Sequence, residues 1–322
     1  MGIETGPVSN ANIVVLSGGV GAARLLQGLV QLVPASRLTA IVNVGDDLTL
    51  HGLHISPDID TIVYTLAGQV STSRGWGLTG ESWLAMEMLE RYNGQTWFSI
   101  GDQDLGTHLY RTQRLHEGAS LSEVTAEVAA AWRLPLTLLP ATDDEVRTII
   151  ETDEHGDLSF QEYFVKHRHA VAAHGVRFEG APRATALPAA IEALDAADLI
   201  IIAPSNPVVS IDPILAISEL SDVVKQRRAS TCAVSPIVGG KAIKGPAARL
   251  MVERGGEASA VGVAKWYGQY CSALVFDNVD AEHRAGVAEL GLQPVVTNTI
   301  MSDRAKAAGL AAALLSLLDT SN

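Results

Sequence analysis

The stretch NIVVLSGGVGAARLLQGLVQL, residues 12–32, followed by LTAIVNV, residues 38–44, decides the fold. Asn12–Leu16 is apolar without alternation, the mark of a strand covered on both faces. Ser17–Gly21 (SGGVG) is a tight glycine turn, and Ala22–Leu32 carries apolar residues at helical spacing. Leu38–Val44 is a second apolar strand. Strand, glycine turn, helix and strand make a βαβ unit, which requires a parallel sheet. The rhythm returns from Leu187, with a helix to Ala196 and strands at Leu199–Ala203, Thr231–Ser235, Ala273–Phe276 and Pro294–Thr297. Helices from Pro213, over roughly 246–270, at Ala281–Leu290 and from Asp303 separate those strands. The fold class expected is α/β, a Rossmann-like parallel sheet flanked by helices.

Between the two halves, Asp58–Leu66, Glu81–Tyr92, Leu105–Leu115 and Ser120–Trp132 read as helices. LTLLP, VRTIIET and SFQEYFV, within residues 136–165, read as antiparallel strands separated by Asp and Gly turns. They suggest a smaller insertion or cap at about 136–186 inside one α/β domain spanning 12–322, with a flexible leader at 1–11.

A chain of 322 residues can bury an ample core. Its formal net charge of −13 argues against general nucleic-acid binding, which relies on basic patches. Any anionic ligand must therefore be held locally, by metal, backbone amides and a few cations. No apolar run is long enough to span a bilayer. Cys232 and Cys271 form no CxxC pattern and read as reduced thiols, so a cytoplasmic protein is expected.

The chemistry is concentrated in NVGDDLTLHGLHISPDID, residues 43–60. Asp46, Asp47, Asp58 and Asp60 fall within fifteen residues that contain no Lys or Arg. Carboxylates packed so closely repel, and a divalent cation resolves the conflict. The glycine turn just upstream offers backbone N–H groups to a metal-bound phosphate. Both motifs fall at the carboxyl ends of strands, where ligands bind in such sheets. Mg²⁺ typically keeps one or two protein carboxylates, so Asp46 and Asp60 are assigned to the metal, and Asp47 and Asp58 to capping or orienting.

The turn is neither a dinucleotide fingerprint nor a Walker A loop: Arg24 occupies the third glycine position, and the Walker lysine is absent. PSNP at Pro204–Pro207 presents Ser205 and Asn206 at a strand end, and SPIVGGKAIKGP at Ser235–Pro246 offers Lys241 and Lys244 as phosphate counter-charges. His51 and His54 complete no metal signature. Nothing in the chain supports a covalent nucleophile.

SGGVGAARLL, NVGDDLTLHGLHISPDIDTIVYTLAG, RGWGLTGESW, IGDQDLGTHLYR, PSNPVVSIDPIL and VSPIVGGKAIKGPAARLM occur in the order characteristic of one family. Over about residues 12–318 the chain resembles the 2-phospho-L-lactate transferases of coenzyme F-420 biosynthesis, the CofD/FbiA type. The resemblance implies a Mg²⁺-dependent homodimer acting on small molecules. A phospho-acid (2-phospholactyl or enolpyruvyl phosphate) passes from its guanosine-diphosphate-activated form to the ribityl hydroxyl of the deazaflavin Fo. GMP leaves, and F-420-0 or dehydro-F-420-0 forms. Asp60 and Ser99 match the family's Fo-contacting positions, so Asp60 would both hold metal and orient the attacking hydroxyl. Diphosphate contact is assigned to Gly18, Gly19, Val20 and Gly21, and the surroundings of the guanosine to Ser205, Asn206 and Lys241. The family's acidic position after GWG shifts here to Glu81, and Trp76 and Trp83 are the candidates to stack on the deazaflavin. The competing reading is a nucleotide-sugar-binding regulator of the YvcK type. Such regulators share the glycine turn and acidic pair but run DDGGS where this chain has DDLTLHG.

Overall fold

The computed structural model describes residues 10–71 and 74–320, so most of the leader expected at 1–11 lies outside the described residues. In chain order, β1 (Ile13–Ser17) and β2 (Leu38–Val42) are joined by helix α1 (Gly19–Leu29). A hairpin of β3 (Leu48–Leu50) and β4 (Leu53–Ile55) leads into helices α2 (Pro57–Leu66), α3 (Leu84–Arg91), α4 (Asp102–His116) and α5 (Leu121–Ala131). Then come β5 (Thr137–Pro140) and a three-stranded antiparallel sheet of β6 (Arg147–Thr152), β7 (Gly156–Ser159) and β8 (Ala173–Glu179). The second half supplies β9 (Leu199–Ile202), β10 (Thr231–Val234), the small hairpin β11 (Ile237–Val238) and β12 (Lys241–Ala242), then β13 (Ala273–Asp277) and β14 (Gln293–Thr297).

Seven of these strands form one parallel sheet in the order β14-β13-β10-β9-β1-β2-β5. β1, β9, β10 and β13 are buried along their whole length, as expected when helices cover both faces. Ile13 of β1 lies opposite Leu38 on one side and Leu199 on the other. The winding reverses between β1 and β9, and such a switch point opens a crevice at the carboxyl ends of the strands.

Three sequence expectations are corrected. LTLLP is not an antiparallel strand of the insertion: β5 pairs parallel to β2 and forms an edge of the main sheet. SFQEYFV leaves the sheet at Ser159 and turns helical over Glu162–Lys166. Phe160, Tyr163 and Phe164, spaced by three and four, then share a side. Finally, LTLHGLHI, where no strand was expected, is a hairpin. His51 and Gly52 both take positive φ (54° and 76°), the requirement of a two-residue turn that matches strand twist.

The last helix, Arg304–Leu315, lies against α1, with Leu310, Leu314 and Leu315 buried within the chain itself. A Cβ on Gly28 would sit 2.3 Å from the Ala307 carbonyl oxygen, so the two helices approach closely only because residue 28 is glycine. A smaller apolar cluster of Leu48, Leu50, Ile55, Met86 and Ile100 fastens the β3–β4 hairpin to α3 and α4. These last two helices cap each other. Asp102 accepts from the Leu84 and Ala85 N–H groups (3.0 Å each), and Glu81 accepts from those of Gln103 (2.8 Å) and Asp104 (3.0 Å). That exchange explains why α3 starts three residues later than its periodicity suggests, and α4 three residues earlier.

Candidate functional site

A cavity of about 670 Å³ lies over the switch point, a volume suited to a nucleotide-sized ligand. Gly18 to Gly21, Asp46, Asp58, Asp60, Ser99, Ser205 and Asn206 all line it. The glycine turn is shaped by its neighbours. Gly18 is extended (φ −154°), and Gly19 takes φ +62°, the left-handed region. A Cβ on Gly21 would fall 2.2 Å from the Pro204 carbonyl oxygen, so α1 can start this close to the end of β9 only with glycine there. The Ser205 hydroxyl donates to the Gly18 carbonyl oxygen at 2.6 Å and accepts from the Gly18 N–H at 3.4 Å, tying the two strand ends together. Asn206 accepts from the Val208 N–H at 3.0 Å and starts the next helical turn. The N–H groups that open α1 have no partner inside the helix and carry its positive dipole end, and that of Gly19 donates to the Asp58 carboxylate.

A valine at position 19 would be β-branched in the left-handed region and would crowd the approach of a phosphate. Gly19→Val is therefore expected to weaken GDP binding by at least about tenfold in calorimetry. Unchanged affinity would remove the turn from the ligand site.

The four aspartates divide into different environments. Asp47 is partnered through one oxygen: Oδ2 accepts from the Ser56 hydroxyl at 2.7 Å and lies 3.0 Å from His54 Nε2, while Oδ1 is buried without a hydrogen-bond partner. Asp60 is gripped by Arg111, whose guanidinium reaches both carboxylate oxygens; the Nη1–Oδ2 contact is 3.1 Å. His108 stands beside them, 3.8 Å from Asp60 and 3.3 Å from Asp104, and Tyr64 donates to Asp104 at 2.7 Å. Burial opposes ionisation of Asp104, but the hydrogen bonds and charges of His108, Tyr64 and Arg111 hold it below the usual carboxylate range.

Asp46 and Asp58 have no such cation among the described residues. Asp58 accepts from the Asn43 amide at 2.9 Å, and one oxygen of Asp46 is buried without a hydrogen-bond partner. Burial pushes Asp58 from 3.8 up to about 7, with Asn43 opposing and the charge of Asp47 adding. Burial, then the charges of Asp58 and Asp47, push Asp46 well above its ordinary value. A cation bound between two such buried carboxylates would relieve both. Asp60, Asp104 and His108 also bring ligand atoms within 4.8 Å of one another, but Arg111 already supplies the positive charge there. Of the metal pair expected from the sequence, Asp46 and Asp60 both line the cavity; Asp60 is paired with Arg111, and Asp46 lies in the charge field of Asp58.

A pH dependence follows. A carboxyl group whose folded-state pKa is raised binds its proton more tightly when folded, so stability falls as pH rises through the window between the two values. Without divalent metal, the protein is expected to lose stability between pH about 4 and about 7, the window set by Asp58. Mg²⁺ should raise the melting temperature more at pH 8 than at pH 5. An equal rise at both pH values would contradict the assignment.

Lys241 does not line the cavity, whereas Lys244, the other lysine of the same loop, does. Gly239 and Gly240, both at positive φ, close a tight hairpin in which Lys241 pairs with Val238 and stays exposed. The chain re-enters the cavity wall at Ile243. Glu81 is spent on capping α4 and lies outside the lining. Trp76 lines the cavity with Phe98 and Phe164, whereas Trp83 lies outside the lining, edge-on to Trp76 with centroids 6.0 Å apart and with the Arg74 guanidinium over its ring at 5.0 Å. The sequence reading passed over Asn43, His108 and Arg111. The signal for the last two was present, because Asp104, His108 and Arg111 fall at i, i+4 and i+7 on one face of α4.

Residues 13–314 match the family model of the 2-phospho-L-lactate transferase CofD. The chain belongs to this family. It is 42% identical over 281 residues to a phosphoenolpyruvate transferase of Nocardia farcinica, covering 85% of each chain. A phosphoenolpyruvate transferase of Streptomyces griseus is 39% identical over 312 residues, 95% of this chain and 98% of that one. The Mycobacterium tuberculosis H37Rv protein of the same name is 41% identical over 284 residues, covering 82% of this chain and 86% of that one. Among solved structures, a UPF0052-family protein from Bacillus halodurans superposes with a TM-score of 0.65 over 95% of this chain and 98% of its own. At 17% identity that likeness concerns the fold alone. No helix among the described residues of this CofD-family chain is long and apolar enough to cross a membrane.

Proposed function

We propose that the protein transfers enolpyruvyl phosphate, or a closely related phospho-acid, from its guanosine-diphosphate-activated form to the ribityl hydroxyl of the deazaflavin Fo. GMP is released and the F-420 core is formed. The observation that carries this reading is the buried Asp46–Asp58 pair, without a cation, beside a helix start shaped for a phosphate. Relatives named phosphoenolpyruvate transferase support the choice of acid.

Asp46 and Asp58 would hold Mg²⁺, with Asn43 steering the Asp58 carboxylate. The ion, when bound, offsets the diphosphate's negative charge and polarises its phosphorus–oxygen bonds. The amides opening α1 bind the diphosphate and stabilise charge as GMP departs. Asp60 and Ser99 face the same cavity and meet the acceptor hydroxyl. Arg111 fixes the Asp60 carboxylate in place, and Asp60 orients the hydroxyl for in-line attack on the phosphorus. Trp76, Phe98 and Phe164 give the flat deazaflavin apolar faces to lie on. A cytoplasmic homodimer belongs to the same proposal; Leu84, Met88 and Tyr92, exposed along one side of α3, would suit contact between copies.

The test is mass spectrometry of purified protein with Fo, Mg²⁺ and, in parallel, the guanosine-diphospho derivatives of enolpyruvate, lactate and 3-phosphoglycerate's acid. A dominant product from the enolpyruvyl donor is expected. Absence of product from every donor, with the protein folded, would refute the reading.

A further inference from the structure

Two cations that the chemistry above does not use, Arg24 and Lys244, also line the cavity. Arg24, one turn into α1, donates from Nη1 to the Met301 carbonyl oxygen at 2.9 Å. Its Nη2 and Nε have no hydrogen-bond partner among the described residues, and Arg24 lines the cavity. Lys244 stands at the mouth, its Nζ so close to Gly75 that a Cβ there would lie 2.8 Å away. Neither residue joins an ion pair among the described residues, although the chain carries 36 acidic side chains. Burial, and then the charge of Arg24, lower the pKa of Lys244, so the two cations feel each other. Like charges held on one cavity wall are the mirror image of the Asp46–Asp58 pair, and they call for an anion.

We infer that Arg24 and Lys244 form a subsite for the carboxylate of the transferred acid, and so restrict the donor to acids that carry one. This inference rests on the proposed function. The activated donor has two anionic parts, the diphosphate and the acid's carboxylate. The helix start and the aspartate-held cation serve the diphosphate. The carboxylate is the remaining anion, since the acceptor's ribityl chain brings hydroxyl groups to the site. A guanidinium with two nitrogens unpartnered matches a carboxylate in geometry, and a flexible ammonium can close on the same group from its own loop. Arg24 thereby acquires a function at the position where it breaks the dinucleotide fingerprint.

Calorimetry tests this without relying on turnover. The wild-type protein, Lys244→Met and Lys244→Arg are titrated with the enolpyruvyl-diphospho-guanosine donor, with the same donor as its carboxamide, and with GDP. Lys244→Met is expected to weaken donor binding about 10- to 100-fold while changing carboxamide and GDP binding by no more than about twofold. Lys244→Arg should recover most of the loss. Equal losses for all three ligands would assign the lysine to the diphosphate and overturn the proposal, as would no loss for any. The wild-type protein is assayed alongside for transfer to Fo. Carboxylate-selective binding without product would refute the transfer reaction and leave the subsite standing.

Discussion

Asp58→Asn is expected to reduce transfer about 10²- to 10³-fold at saturating Mg²⁺, the scale seen when one preorganised electrostatic contact to a reacting group is lost. The fold should survive, because Asn keeps the size of the side chain and can still pair with Asn43. Above pH about 7 the metal-free variant should be more stable than its parent, since a buried charge facing Asp46 has been removed. The combination of crippled turnover with a higher melting temperature separates a functional carboxylate from a structural one. Near-normal turnover, or a variant less stable than its parent at pH 8, would contradict the assignment.

Arg111→Met is expected to have the opposite character and destabilise by about 3–5 kcal/mol, because it leaves the buried Asp60 carboxylate without its counter-charge. Arg111 and Asp60 are 1% and 5% exposed, so water cannot take the guanidinium's place. The double variant with Asp60→Asn should recover much of that stability in urea denaturation while staying inactive. If the single variant unfolds at the parent's urea concentration, the ion pair is not what holds α4 against α2.

The α/β sheet was legible because its strands are buried on both faces and read as unbroken apolar runs, and SGGVG after such a run announces a crossover helix. That Asp46 and the glycine turn would lie close together was legible for the same reason, since they follow β2 and β1 and line one cavity. What stayed hidden depends on contacts far apart in sequence. Arg111 pairs with Asp60 across 51 positions, and Asp46 lies in the charge field of Asp58. Glu81 looked like a site acid because its use as a cap for α4, 22 residues onward, cannot be read from local pattern. β5 was misread because a four-residue edge strand leaves no sign of which neighbour it will pair with. Lys241 and Lys244 are equivalent in composition, and the two glycines of the hairpin decide which reaches the cavity.

The claim that a divalent cation between Asp46 and Asp58 holds the ligand's diphosphate on the glycine turn is tested most directly by GDP calorimetry. Wild-type protein and Asp46→Asn are each titrated with and without Mg²⁺. The wild-type protein is expected to bind GDP at least about tenfold more tightly with Mg²⁺, and the variant to lose that advantage. Equal wild-type affinity with and without Mg²⁺, or an advantage that persists in Asp46→Asn, would contradict it.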